Sequence, residues 1–496
     1  MRLNILVGGE AGKGPNFLAK ILAEILIEKE FFVFYSRDYQ SLIRGGHNFN
    51  VLTFSNEPVY SNDKGLDFLI CLDDKTKKIH LNSLKKGGVI LEGKYSNAYF
   101  LGAIVKKLGL NFEILKKNLE KSGKFDENVL EAKKGFESVK EKIKLKRLDE
   151  KKNIFFMNGN QGISDGAVKS GLDVYYAYPM TPATSVLNEL AGRQKKDNIL
   201  VLELENEIAV INAAIGSSIT GAKTMVGTSG GGFDLMTEGL SLAGIAETPV
   251  VIYLSMRPGP GTGVATYTGQ GDLNIALHSG HGEFPRMVLA PGNPIEAEEL
   301  TSQAFYFSQK FGIPSIILLD KHLAESFYSD ENKAVITPSK KTTVLRRYNS
   351  YETDEFGNST ESSEQIKKNV EERLRKSAEI KKEAEKFIGY KIYGNKNSKN
   401  VVVTWGSPTG AILDSIKNSY VKLVQIMYLE PFPEKIKREI EGKNLILVEN
   451  DATGQLGELI AEKTGIFIDD KNKILRYDGR PFLADELKEE IRRRMK

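Results

Sequence analysis

The sequence predicts an α/β protein made of several parallel-sheet domains. Three observations lead there: short apolar runs alternate with stripes of helical spacing, the alternation runs in three blocks, and charge-rich stretches separate the blocks. At 496 residues the chain is too long for one ordinary core, since domains run to roughly 150 residues each. With 41% hydrophobic and 27% charged residues it has enough apolar material for several cores.

The first block spans residues 1–140. It opens on the apolar strand LNILV, turns at once through GGEAGKG, and continues into a helix whose Phe17, Leu18, Ile21, Leu22, Ile25 and Leu26 form one stripe. FFVFYS, NVLTF, DFLICL and GGVILEG read as further strands of a parallel sheet. Residues 141–153, EKIKLKRLDEKKN, carry too little apolar surface to bury a face and read as a linker. The second block, residues 154–325, alternates more clearly: strand LDVYYAYP, helix TSVLNELAG, strand ILVLELE, then a helix with Ile208, Ile211, Ile215 and Ile219 on one face. Strand KTMVGT leads into the loop SGGGFD, a helix over LMTEGLSLAGIAE, and the doubly buried strand TPVVIYLS. Residues 326–399 turn to Ser, Thr, Glu and Lys, with a charged helix over Glu361–Phe387, and read as an inter-domain arm. Residues 400–496 return to alternation as a third compact domain.

Charge and cysteine content narrow the function. The 69 basic and 65 acidic side chains leave +4, no electrostatic reason to expect a nucleic acid or an anionic membrane. With Cys71 alone, this chain can form neither an internal disulfide, nor a four-thiolate zinc site, nor an iron–sulfur cluster of its own. The first apolar run is too short for a signal peptide, and no segment reaches the roughly 18 apolar residues of a membrane span, so a cytoplasmic protein is expected.

Several motifs admit two readings. The loop holding Gly9, Gly12 and Gly14 sits between strand and helix, where backbone N–H groups suit a phosphate, yet it lacks the Ser or Thr of a Walker A and serves equally as a tight turn. Arg44, ahead of Gly45-Gly46-His47, is either the rim of a cleft or an exposed loop residue. His278, His281 and Glu283 invite a metal, but in a glycine-broken loop they also suit ordinary hydrogen bonding. Tyr178-Pro179-Met180-Thr181-Pro182, Glu207 and Arg257 all emerge at carboxyl edges of strands, where open α/β sheets bind ligands. They form either one polar site or a helix-dipole glutamate with a surface arginine.

The motifs GNQGISDGAVKSGLDVYYAYPMTPATSVLNEL, ELENEIAVINAAIG, TSGGGFDLMTEGL, MRPGPGTG, HGEFPR, YLEPFP and RYDGRPF, in this order, resemble the alpha subunit of 2-oxoacid:ferredoxin oxidoreductases, most of all the 2-oxoglutarate type. The first block, with GGEAGKG and RDYQSLIRGGHN, resembles the gamma domain often fused to such subunits. YPMTP stands where YPITP is usual, and TSGGG where TSGPG is common.

The resemblance implies a gamma-type Rossmann-like domain, a thiamine diphosphate pyrimidine-binding domain and a domain like the transketolase C-terminus. It implies oxidative decarboxylation of a 2-oxoacid, with 2-oxoglutarate first and pyruvate or branched-chain oxoacids as alternatives. The acyl group would pass to coenzyme A and the electrons to ferredoxin. Glu207 would hydrogen-bond N1′ of the cofactor, Thr181 would touch cofactor or substrate, and Arg257 would pair with the substrate carboxylate. Tyr178, Pro179, Gly230 and Gly231 would contact the cofactor, and Gly9, Gly12, Gly14 and Arg44 an anion or coenzyme A. No GDG is followed by a suitable Asn for magnesium, so Mg2+ and a 4Fe–4S cluster are expected on a separate beta subunit. A rival from another class is a nucleotide-binding module using GGEAGKG on a non-catalytic scaffold.

Overall fold

The structure, a computed structural model, describes residues 1–40, 45–120, 122–145, 154–342 and 348–495. Arg44 and most of the expected linker lie outside the described residues. Two compact units are present. One takes Met1–Met157 with Ser326–Asn332 and Phe482–Glu489, the other Asn158–Glu325, Lys333–Pro481 and Glu490–Lys496. The α/β class expected from the alternation holds, in three sheets.

In the first unit the strand Arg2–Ala11 lies parallel to Leu66–Cys71 but antiparallel to Gly45–Ser55, so the sheet is mixed, not wholly parallel. Chain length explains the departure. Only residues 39–44 separate Phe32–Asp38 from Gly45–Ser55, far fewer than a parallel crossover needs, and the two pair antiparallel. The helix Pro15–Glu28 buries Leu18, Ile21, Leu22, Ile25 and Leu26 against this sheet, with Phe17 partly buried at the edge. Ser326–Asn332, expected as part of an arm, supplies the strand Phe327–Asp330 to the same sheet, antiparallel to Phe32–Asp38.

The larger sheet of the second unit runs in the order Tyr428–Glu430, Met287–Leu289, Pro314–Asp320, Val250–Met256, Thr224–Thr228, Val174–Ala177, Leu200–Glu203. All these strands pair in parallel except Tyr428–Glu430. From Val174–Ala177 the chain first steps outward to Leu200–Glu203, then crosses to Thr224–Thr228 on the other side. The carboxyl ends of Val174–Ala177 and Thr224–Thr228 therefore flank a topological switch point, where such sheets open a ligand crevice. Helix Gly159–Lys169 packs closely on Pro294–Phe311 because Gly162 and Gly166 are bare. A Cβ on Gly166 would lie 2.5 Å from the Glu298 carbonyl oxygen.

The third sheet, also in this unit, orders Tyr390–Gly394, Lys422–Ile426, Asn400–Thr404, Asn444–Glu449 and Lys473–Leu475. VKLVQIMYL, which reads as one strand, divides at Met427. Lys422–Ile426 stays in this sheet, while Tyr428–Glu430 pairs with Met287–Leu289 in the larger one. Ala290 N–H donates to the Met427 carbonyl at 2.8 Å, which fixes the division. The charged helix is Ser363–Ala384. It is exposed over most of its length and buries only Ile380 and Ala384.

Candidate active site

The switch point collects side chains from four chain segments. Past Val174–Ala177 the chain enters Tyr178–Pro182, with Tyr178 and Pro179 exposed, Thr181 half-buried and a cis peptide between Thr181 and Pro182. Two polar side chains hold this turn. Asn160 Nδ2 donates to the Pro182 carbonyl at 3.1 Å while its Oδ1 accepts from the buried Tyr253 hydroxyl at 2.5 Å. Arg257, which follows the strand Val250–Met256, donates from Nη1 to the Thr181 carbonyl at 2.8 Å. Among the described residues no carboxylate forms an ion pair with Arg257, and burial lowers its pKa against the opposing pull of Asp272 and Glu207.

Glu207 is the first residue of the helix Glu207–Ile219, whose N-cap Asn206 accepts from Ala209 N–H at 3.0 Å. At 2% exposure the carboxyl is buried, and its Oε1 has no hydrogen-bond partner. A buried acceptor in that state costs free energy unless something else binds it. Glycine makes the approach possible: a Cβ at Gly232 would collide with Glu207 Oε1 and Thr228 Oγ1. The segment SGGGFD, expected as a loop, is mostly the short helix Gly230–Leu235. Ile208, expected on the buried face with Ile211 and Ile215, is 49% exposed, and Leu235 beside the glycines is 48% exposed.

Asp272 was not singled out in the sequence. It occupies the N-cap of Leu273–His278, where an aspartate ordinarily caps its own helix, but its side chain makes no such bond. Gln455 Oε1 takes the Asn274 N–H instead, at 2.9 Å. The freed carboxyl lies against the glycine turn. A Cβ at Gly230 would be 2.7 Å from Asp272 Oδ2, an oxygen that is buried without a partner. Burial raises its pKa to about 6, Asp234 adds to the rise, and Arg257 opposes it. Glu207 and Asp272 thus flank the triple glycine at Gly232 and Gly230. Gly231 faces open space, with no foreign atom nearer than 3.7 Å to a Cβ there.

In the other unit Gly9 lies inside the strand Arg2–Ala11, opposite Asn48, so the turn proper is Gly12 to Gly14. Both of those glycines have positive φ, and Asn97 Nδ2 donates to the Lys13 carbonyl at 2.8 Å. In the same unit His47, beside Gly8, and His80 meet through their Nε2 atoms at 2.8 Å. His278 ends the helix Leu273–His278, and the His281 N–H donates to Ser241 Oγ at 2.8 Å. Among the described residues no group of three or more His, Cys, Asp or Glu side chains is placed to hold a metal ion.

Among the described residues, a bare carboxyl, an arginine without a carboxylate ion pair and a glycine turn meet at a switch point, the place where an α/β enzyme fold opens a ligand crevice. The comparisons give the particular class. A family model described as pyruvate flavodoxin/ferredoxin oxidoreductase, thiamine diphosphate-binding, matches residues 165–389, and one described as pyruvate ferredoxin/flavodoxin oxidoreductase matches residues 4–93. The 2-oxoacid:ferredoxin oxidoreductase subunit alpha of a Sulfolobus species is 30% identical over 99% of this chain and 96% of its own length. The 2-oxoglutarate synthase subunit KorA of Methanocaldococcus jannaschii is 30% identical over 59% of this chain and 87% of its own length. A solved 2-oxoglutarate:ferredoxin oxidoreductase from Magnetococcus marinus, with 2-oxoglutarate, coenzyme A and succinyl-CoA bound, shares the fold at a TM-score of 0.89, with 23% identity and all of both chains covered. The chain belongs to the alpha subunits of the 2-oxoacid:ferredoxin oxidoreductases and is an oxidoreductase subunit. No helix among the described residues is long and apolar enough to cross a membrane.

Proposed function

We propose that this chain, with a separate beta subunit in the cytoplasm, oxidatively decarboxylates a 2-oxoacid, 2-oxoglutarate foremost, passing the acyl group to coenzyme A and electrons to ferredoxin. The partner would bring Mg2+ and a 4Fe–4S cluster. The observation that carries this reading is Glu207: buried, with a free Oε1, beside a glycine turn at the crevice of a family-matched thiamine diphosphate domain.

The residues fit that cofactor. Glu207 Oε1 would hold the aminopyrimidine N1′, a ring nitrogen able to satisfy an otherwise orphaned carboxyl, and the bare glycines at 230–232 would let a flat ring approach the backbone. Thr181, Tyr178 and Pro179 would line the same wall. Bound there, thiamine diphosphate supplies the electron sink for decarboxylation. This chain would place Glu207 Oε1 against the ring nitrogen and orient the substrate carboxylate on the planar fork of Arg257, whose Nη1 donates to the Thr181 carbonyl. Relatives named for 2-oxoglutarate favour that substrate over pyruvate or branched-chain oxoacids.

The test is coexpression with a beta-type subunit from the same source and assay of coenzyme A-dependent ferredoxin reduction with 2-oxoglutarate, pyruvate and 2-oxoisovalerate. Turnover highest with 2-oxoglutarate is expected. A complex that takes up no thiamine diphosphate and reduces ferredoxin with no oxoacid overturns the reading.

A further inference from the structure

The starting point is a carboxyl withdrawn from its ordinary role. Asp272 stands at a helix N-cap and does not cap; the N–H of Asn274 is served by Gln455, whose Nε2 in turn donates to the Gly271 carbonyl at 2.8 Å. Clamped from both sides by one glutamine, the segment presents Asp272 Oδ2 to Gly230, buried and without a hydrogen-bond partner. The charged groups acting on it are Asp234, exposed on the helix Gly230–Leu235, and Arg257 after the strand Val250–Met256; Glu207 also acts on Arg257. Asp272 and Arg257 feel each other without an ion pair, so the guanidinium keeps its edge for a ligand while the acid modulates the field around it.

We propose that Asp272 is a third ionisable residue of the substrate pocket, a counter-charge to Arg257 that is neutral when a 2-oxoacid anion sits on the guanidinium, so that substrate binding takes up a proton. This rests on the assignment of Arg257 to the substrate carboxylate. The reason is Coulombic: a carboxylate ion at 272 competes with the substrate's own for the field of one arginine, whereas a neutral carboxyl leaves that field whole and donates a hydrogen bond. The sign follows. Substrate charge favours the protonated form, so affinity for the oxoacid is greatest at low pH and falls as pH rises through the acid's titration, which lies near 6 in the free site.

The experiment uses the assembled complex with its beta subunit. The oxoacid KM is measured between pH 5.5 and 8.5, and infrared difference spectra of wild type minus Asp272→Asn follow the protonated-carboxyl stretch with and without saturating 2-oxoglutarate. Wild-type KM is expected to climb about tenfold across that range, and Asp272→Asn, a near-isosteric neutral, to hold it flat near its low-pH value. The carboxyl band is expected to fade with rising pH at a midpoint that moves upward when 2-oxoglutarate is present. Asp234→Asn, on the exposed side, should move the midpoint of the KM profile downward, a readout that does not depend on a folded variant at position 272. A wild-type KM independent of pH, an Asp272→Asn profile with the wild-type slope, or a band indifferent to 2-oxoglutarate overturns the inference alone. A complex with no oxoacid turnover at all overturns the functional reading beneath it.

Discussion

Glu207 Oε1 occupies the space that a side chain on residue 232 would need. The third glycine of SGGG is thereby tied to the acid that starts the neighbouring helix. Gly232→Ala should displace the carboxyl and lower turnover by about a hundredfold, with a stability loss of about 1–3 kcal/mol from overpacking. Gly231→Ala, with open space around its Cβ and no positive φ, should leave the melting temperature unchanged. Paired kcat and thermal-melt measurements on the assembled complex check both; equal losses at the two positions would break the link to Glu207.

Glu207→Gln preserves shape and removes the exchangeable proton. Turnover should fall by about 10²–10⁴-fold while subunit assembly persists. Size-exclusion chromatography alongside ferredoxin reduction separates the two effects, and wild-type rates would discard the assigned role.

Arg257→Lys keeps a charge but loses the planar fork and its bond to the Thr181 carbonyl. The oxoacid KM should rise at least tenfold with a smaller effect on the KM for coenzyme A. Steady-state kinetics with each substrate varied gives the answer, and parallel rises in both would point to a general disturbance.

Asn160 bridges the Tyr253 hydroxyl and the Pro182 carbonyl, and all three residues are buried. Asn160→Ala leaves the Tyr253 hydroxyl with Ser255 Oγ as its partner and takes the Asn160 donor from the Pro182 carbonyl, releasing the turn bearing Thr181 at a cost of about 1–3 kcal/mol. A lowered melting temperature with a raised oxoacid KM is expected; an unchanged KM would show the turn held without it.

In the third sheet Glu449 accepts from the indole of Trp405, the chain's one tryptophan, at 2.7 Å, and from Leu456 N–H at 2.9 Å. Burial first, then Asp451, holds its carboxyl well above the usual glutamate range. The folded form therefore keeps a proton that the unfolded chain releases at about pH 4.3. Its contribution to stability is full below that pH and is lost as pH rises through the higher folded value. Denaturant titrations followed by Trp405 fluorescence should show this slope in wild type and not in Glu449→Gln.

The alternation of apolar runs and helical stripes made the α/β class and most strands readable, because each buried strand must be apolar on its own account. Glu207 and Arg257 were findable as charged residues at strand ends. What the sequence hid was tertiary. Antiparallel pairing of Phe32–Asp38 with Gly45–Ser55 depends on which short connection folds back, and the division at Met427 on a partner strand some 140 positions away. Ile208 obeys the helical period of Ile211 and Ile215, yet sits in the first turn of its helix and is half exposed. Nothing in GQGDL marks Asp272, and its failure to cap its helix shows only in the fold, where the distant Gln455 takes the Asn274 N–H.

That glutamine opens the helix Gln455–Thr464, whose Leu456, Leu459 and Ile460 pack in the core with the C-terminal sheet, so the seat of Asp272 is held by a segment remote from it in sequence. Exchanging the C-terminal segment between relatives would then retune the working pH of the enzyme even if every residue at the crevice itself were left alone.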